Sequence, residues 1–195
     1  MKLIHLSPPL DEEDIKKLRV GDLVSITGRI VTARDKAYAR VTSGAKLPLD
    51  LRGGVVYHCG PLAKRTPDGW RIISAGPTTS ARLDRAQGEF IRRTGVRALV
   101  GKGGVGGEVA VQLARLGCIY LAFTGGAGVL AAGAVEKVER IYWEELGPAE
   151  ALWVLRVRDF GPLVVAVDTQ GGNLYFPRSP EAFSQVHRQR PHRRL

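Results

Sequence analysis

Between Trp70 and Phe123 the apolar pattern changes from the two-residue repeat of exposed strands to short apolar runs separated by helical stretches. That change restricts the chain to an α/β architecture, because short apolar strands alternating with amphipathic helices are built for parallel pairing through crossovers. The alternation reads as a strand over Trp70–Ser74, a helix over 80–94 stopped by Gly95, a strand over Val96–Val100, a glycine loop, a helix over Val105–Leu116 and a strand over Cys118–Phe123. Upstream, a short acidic helix near Glu12–Leu18 precedes the alternating segment Val20–Thr32, in which Gly28 marks a bulge or bend. A brief helix over Ala33–Val41 carries Arg34, Asp35 and Arg40, and a strand follows at Gly54–Cys59, separated from Trp70 by the turn-rich PLAKRTPDG. After the small-residue segment TGGAGVLAAGA, strands are expected at Val135–Tyr142, Leu152–Val157 and Leu163–Val167. The sum is a mixed sheet with hairpins at one end and right-handed crossovers in the middle.

With 195 residues, 44% of them hydrophobic, the chain suits a single domain with one sizeable core. No apolar run reaches the roughly 20 residues of a membrane helix, and MKLIHLSPPLDEED turns acidic too early for a signal peptide, so a soluble, cytoplasmic protein is expected. Cys59 and Cys118 are far apart, outside any CxxC motif, and read as small buried residues rather than as a zinc site or a disulfide. Of the formal charge of +10, residues 178–195 hold a net +4, from Arg178, Arg188, Arg190, Arg193 and Arg194 against Glu181. This stretch is expected to be a basic C-terminal extension to a domain covering 1–177. Without RNP-like aromatics, a KH-type loop or a basic recognition helix, the charge does not imply specific nucleic-acid binding.

Three segments carry candidate chemistry. SAGPTTSARLD, Ser74–Asp84, places a Gly-Pro break, Thr78, Thr79 and Arg82 where a strand gives way to a helix, with Thr79 or Ser80 as its cap. Unpaired N–H groups and a guanidinium there would hold a carboxylate; an ordinary capped helix with an exposed arginine is the plainer reading. In GKGGVGG, the residues Gly101, Gly103 and Gly106 satisfy GxGxxG, but the following strand ends Ala122-Phe123-Thr124-Gly125 without the acid a dinucleotide ribose requires. No GK[ST] occurs either, and Lys102 is left at the mouth of a strand inside a loop open to anions. Thr32-Ala33-Arg34-Asp35 forms the third such turn. Two arginines and a lysine converging at strand-to-helix junctions suit a small dicarboxylate.

From about Val20 to Phe176 the chain resembles the beta subunit of class I fumarate hydratases and L(+)-tartrate dehydratases, which matches the C-terminal domain of the single-chain enzymes. The similarity rests on GDLVSITGRIVTARDKA, Gly60-Pro61 of HCGP, SAGPTTSARLD, VGKGG, the GGA of FTGGAG, ELGPAEALW and DFGPLVVAVDTQGGNLY, in that order. It implies a three-layer swivelling β/β/α-type domain with a mixed sheet, and an iron-sulfur hydro-lyase acting on a dicarboxylate, foremost the reversible hydration of fumarate to L-malate. It also implies a 4Fe-4S cluster whose three cysteine ligands a chain with two cysteines does not supply. The cluster is therefore expected on a partner alpha subunit, within a homo-oligomer or heterotetramer. The other readings are an L(+)-tartrate dehydratase beta subunit and a non-catalytic carboxylate- or phosphate-binding module with a partner-recruiting tail.

By position, the resemblance assigns Arg34, Arg82 and Lys102 to the substrate carboxylates and to charge balance. Thr78 matches the residue proposed to take the proton from the carbon beside the carboxylate. Asp35 corresponds to an active-site position, although an ion pair orienting Arg34 is the simpler expectation; Thr79 and Asp84 are expected to support or cap. Tyr38 stands where many relatives have histidine, and Gly161 interrupts a more usual DFP, a departure expected to be structural.

Overall fold

The computed structural model describes residues 3–176. The basic extension expected over 178–195 lies outside the described residues. The elements are β1 (Leu3–Leu6), α1 (Glu12–Lys16), β2 (Leu23–Thr32), α2 (Asp35–Thr42), β3 (Val55–Tyr57), β4 (Leu62–Thr66), β5 (Gly69–Ser74), a 3-10 turn (Ser80–Leu83), α3 (Asp84–Thr94), β6 (Ala98–Gly101), α4 (Gly107–Leu116), β7 (Ile119–Ala122), α5 (Gly128–Gly133), β8 (Val135–Tyr142) and β9 (Leu152–Val167). The sequence pattern correctly anticipates a mixed sheet: its strand order is β1-β2-β3-β6-β7-β9-β8, with β4 and β5 forming a separate hairpin.

The two faces of the sheet explain the near-continuous apolar runs of β3, β6 and β7, which are buried on both sides. Val55, Tyr57, Ala98, Val100, Ile119 and Leu121 point into one core with Ile72, Trp153 and Phe160. Their neighbours Val56, Leu99 and Tyr120 point into a second core with Tyr38, Phe90 and Leu113 of the helices. Helices α2, α3 and α4 thus cover one face, and antiparallel strands, with the short α1 and α5, cover the other, the three layers of the expected β/β/α arrangement. Fully burying each large apolar side chain contributes about 1.5–3 kcal/mol, so two full cores fix the strand ends that carry the polar turns.

β2 is shared between the layers. It runs parallel to β1 and β3 along one edge and antiparallel to β9 along the other, with register shifts around Ile26 and Gly28, where the backbone reaches φ 136°. The bulge expected at Gly28 is present. Leu152–Val157 and Leu163–Val167, read as separate strands, are parts of one strand, β9. Gly161 lets it pass: a Cβ there would lie 2.8 Å from the Val24 carbonyl, and φ is 156°. Its interruption of the family pattern is structural, as expected. PLAKRTPDG is not only a turn but contains β4, and TGGAGVLAAGA contains α5. No helix among the described residues is long and apolar enough to cross a membrane.

Candidate active site

The three candidate turns meet at the carboxyl ends of the neighbouring parallel strands β2, β3 and β6. The last β3–β6 hydrogen bond runs from His58 N to Val100 O at 2.7 Å. Beyond it the two chains separate and residues 77–80 enter the gap. Thr78 N donates to His58 O at 2.6 Å, Lys102 N donates to Thr78 O at 3.1 Å, and Ser80 N donates to Lys102 O at 3.1 Å. Backbone pairing, rather than a side-chain contact, therefore sets Thr78 beside Lys102. Both are partly buried.

Thr79 occupies the cap position of the 3-10 turn without a side-chain capping bond, contrary to the expected hydroxyl cap. The Ser80 hydroxyl is 2.8 Å from His58 Nδ1 instead. The helix stop at Gly95 is as read, with φ 67°. Asp84 does cap, though on another helix: its Oδ2 accepts from Gly106 N at 2.8 Å at the start of α4. This carboxylate stands where a dinucleotide phosphate would have to bind, and Tyr175 packs on Gly104, so the glycine loop is closed as a pyrophosphate cradle. Partial burial raises the Asp84 carboxyl above its usual range, against the opposing pull of the Gly106 amide.

Asp35 makes the expected ion pair with Arg34, at 3.9 Å from its Nη2, and also accepts more closely from Arg82 Nη2, at 3.1 and 3.0 Å. Arg34 is the more enclosed arginine, its side chain 22% exposed against 54% for Arg82. Its Nε is 3.5 Å from Glu150 Oε1, a Coulombic contact not aligned as a hydrogen bond, so this buried nitrogen has no acceptor among the described residues. Gly60 admits the guanidinium, since a Cβ there would come within 2.8 Å of Arg34 Nη1 and 2.6 Å of the Ala149 carbonyl. Glu150 also accepts from Lys36 N at 2.9 Å, anchoring the start of α2. Sequence reading singled out neither Glu150 nor His58; Glu150 lies in ELGPAEALW, and the histidine follows the apolar strand VVY.

The site thus brings together Arg34, Asp35, Thr78, Arg82 and Lys102. Arg34 and Arg82 face the carboxylates Asp35 and Glu150, and no carboxylate among the described residues pairs with the Lys102 ammonium. The aliphatic stem of Lys102 approaches Gly125 of the FTGGAG loop. Such a surplus of positive charge, half withdrawn from water, attracts a small dianion. The cysteines offer nothing here. Cys59 lies in one core and Cys118 in the other, and burial pushes the Cys59 thiol up to about 12 and the Cys118 thiol higher still. No group of three or more His, Cys, Asp or Glu residues among the described residues is arranged to hold a metal ion.

Fold and site define an α/β domain with a cationic, hydroxyl-bearing cluster at the carboxyl ends of its parallel strands. More specifically, the chain belongs to the Fumarase C-terminus family, whose profile matches residues 1–177. It is 42% identical over 170 residues to the L(+)-tartrate dehydratase subunit beta of Escherichia coli K12, covering 87% of this chain and 85% of that one. A putative L(+)-tartrate dehydratase subunit beta of Methanocaldococcus jannaschii is 44% identical over 171 residues, covering 85% of this chain and 88% of the relative. A putative class I fumarate hydratase of Geobacillus stearothermophilus is 41% identical over 175 residues, 89% of this chain but 34% of that protein.

Proposed function

We propose that this chain is the beta subunit of a hydro-lyase that interconverts fumarate and L-malate, its active site completed by a partner subunit. Arg82, held by Asp35, grips one substrate carboxylate, and Arg34, whose buried Nε lacks an acceptor among the described residues, takes the other. Lys102 balances the charge that develops on the substrate. Thr78 takes the proton beside the carboxylate as its alkoxide, which becomes the hydroxyl again in that step; the hydroxyl first releases its own proton to water, and the cations Arg82 and Lys102 stabilise the alkoxide. The observation that carries this reading is the backbone interlock of Thr78 with His58 and Lys102, which supports a threonine and a lysine held side by side at the strand ends.

A 4Fe-4S cluster does not fit the residues of this chain, whose two cysteines are neutral and lie in different cores. An alpha subunit supplies the cluster, which acts as a Lewis acid when present. Residues 1–177 form the working domain, and 178–195 are an accessory basic extension whose deletion leaves turnover intact. The names of the length-matched relatives favour a second reading, dehydration of L(+)-tartrate. Comparing kcat/KM for fumarate, L-malate and L(+)-tartrate in the anaerobically assembled complex decides between them. Failure of all three substrates would refute both readings.

A further inference from the structure

Behind the cationic turns runs a file of polar side chains with almost no access to water: Tyr38 and the fully buried His58, Ser80 and Tyr120. Tyr38 Oη is 2.7 Å from His58 Nε2, and His58 Nδ1 is 2.8 Å from Ser80 Oγ. Ser80 Oγ is in turn 3.0 Å from Tyr120 Oη, which lies 2.9 Å from the Gly103 carbonyl. The carbonyl can only accept, and this fixes the direction of every link. Tyr120 spends its one proton on Gly103 and must accept from Ser80. Ser80 spends its proton on Tyr120 and must accept from His58 Nδ1–H. A neutral His58 then has a bare Nε2, which accepts from Tyr38. One tautomer satisfies the whole file.

Tyr38, His58, Ser80 and the terminal acceptor Gly103 each stand close to a residue of the cationic site. Tyr38 is on α2, one turn beyond Asp35; Ser80 follows Thr78 and Thr79; Gly103 follows Lys102; His58 accepts the Thr78 amide through its own carbonyl. The packing leaves no slack, since a Cβ on Gly101 would fall 1.9 Å from Ser80 Oγ and 3.0 Å from His58 Nδ1. We infer that His58, protonated on Nδ1 alone, is the positioning residue of the site, setting the spacing of the Asp35–Arg82 pair, Thr78 and Lys102 through this one-way file. The inference rests on the proposed function. A histidine that merely fills a polar hole in the core would affect stability without affecting turnover.

Two measurements test it. In the 15N-labelled full chain, the His58 ring should show a proton on Nδ1 and none on Nε2 from pH 8 to pH 5; Ser80→Ala, which removes the acceptor, should move population to the other tautomer. In the complex assembled with the alpha subunit, Tyr38→Phe and Ser80→Ala should each lower kcat/KM on the order of tenfold to a hundredfold, with kcat falling more than KM rises, because the carboxylate-binding cations are still present. Tyr38→Phe keeps its ring stacked on Phe90 at 3.9 Å and so tests the hydroxyl alone. Wild-type His58 protonated on Nε2, or an active complex indifferent to both substitutions, would overturn the positioning role alone. A wild-type complex with no activity toward any of the dicarboxylates would overturn the function on which it rests.

Discussion

Asp35 receives Arg82 Nη2 on both carboxylate oxygens, at 3.1 and 3.0 Å, although Arg34 is its neighbour in sequence. The pair ties the first turn of α2 to the 3-10 turn after Thr79. Both partners are substantially exposed, so water screens the attraction to within about 1 kcal/mol. Its consequence is orientation: it aims the rest of the guanidinium and keeps Arg82 from pairing elsewhere.

Asp35→Asn should therefore change the unfolding free energy by less than about 1 kcal/mol while lowering kcat/KM of the assembled complex about tenfold. Denaturant titration of the chain and steady-state kinetics of the complex give the two numbers. A large stability loss with unchanged kinetics would make the pair a structural strut.

Arg82→Lys keeps the charge and loses the fork, so a drop of roughly tenfold in kcat/KM is expected. Lys102→Ala removes the ammonium that no carboxylate among the described residues neutralises, and turnover should fall at least about a hundredfold with the fold intact. Circular dichroism melts alongside the kinetics separate loss of function from unfolding.

Gly101 and Gly103 make contrasting demands. Alanine at 101 drives its Cβ into Ser80 Oγ and should cost about 1–3 kcal/mol through displacement of the buried file. At 103 a Cβ meets nothing within 4 Å, and only φ of 71° resists it. The cost there should be nearer 1 kcal/mol. Equal destabilisation in the two variants would contradict the tight fit around Ser80.

Burial lowers the His58 imidazole from 6.5 to about 3, opposed only by the distant charge of Asp35; its other polar neighbours, Tyr38 and Ser80, are hydroxyls. The folded chain thus binds this proton less readily than the unfolded one. Stability from the neutral ring is complete above pH 6.5 and drains away as pH falls from 6.5 toward 3. Between pH 7.5 and 5 the wild type should lose about 2 kcal/mol that a His58→Gln variant does not lose. Urea titrations at the two pH values, compared between the proteins, read this difference, and parallel losses would mean that His58 is protonated in the fold.

The strand-helix alternation was legible because β6, α4 and β7 each meet a core on a fixed period. Strand β4 hid in PLAKRTPDG because an exposed hairpin edge shows no apolar alternation, and α5 hid because glycine and alanine give no amphipathic signal. Leu152–Val157 and Leu163–Val167 read as two strands because the polar and Gly-Pro residues between them interrupt the apolar pattern, whereas β2 pairs with β9 on both sides of that segment. The cationic residues were legible by type and position. Their partners were not: the Asp35–Arg82 pair and the Arg34–Glu150 contact join residues 47 and 116 positions apart, which only the folded topology brings together.

Thr78, Arg82 and Lys102, as proposed, form the substrate-holding half of a shared hydro-lyase site. The most direct measurement is fumarate hydration by the chain assembled anaerobically with a cluster-bearing alpha subunit, wild type against Thr78→Ala, Arg82→Ala and Lys102→Ala. The isolated chain should be inert and the wild-type complex active, with at least a hundredfold loss, about 2.7 kcal/mol of barrier, in each variant without loss of assembly. Robust hydration by the isolated chain without iron, or near-normal turnover in the three variant complexes, would contradict it.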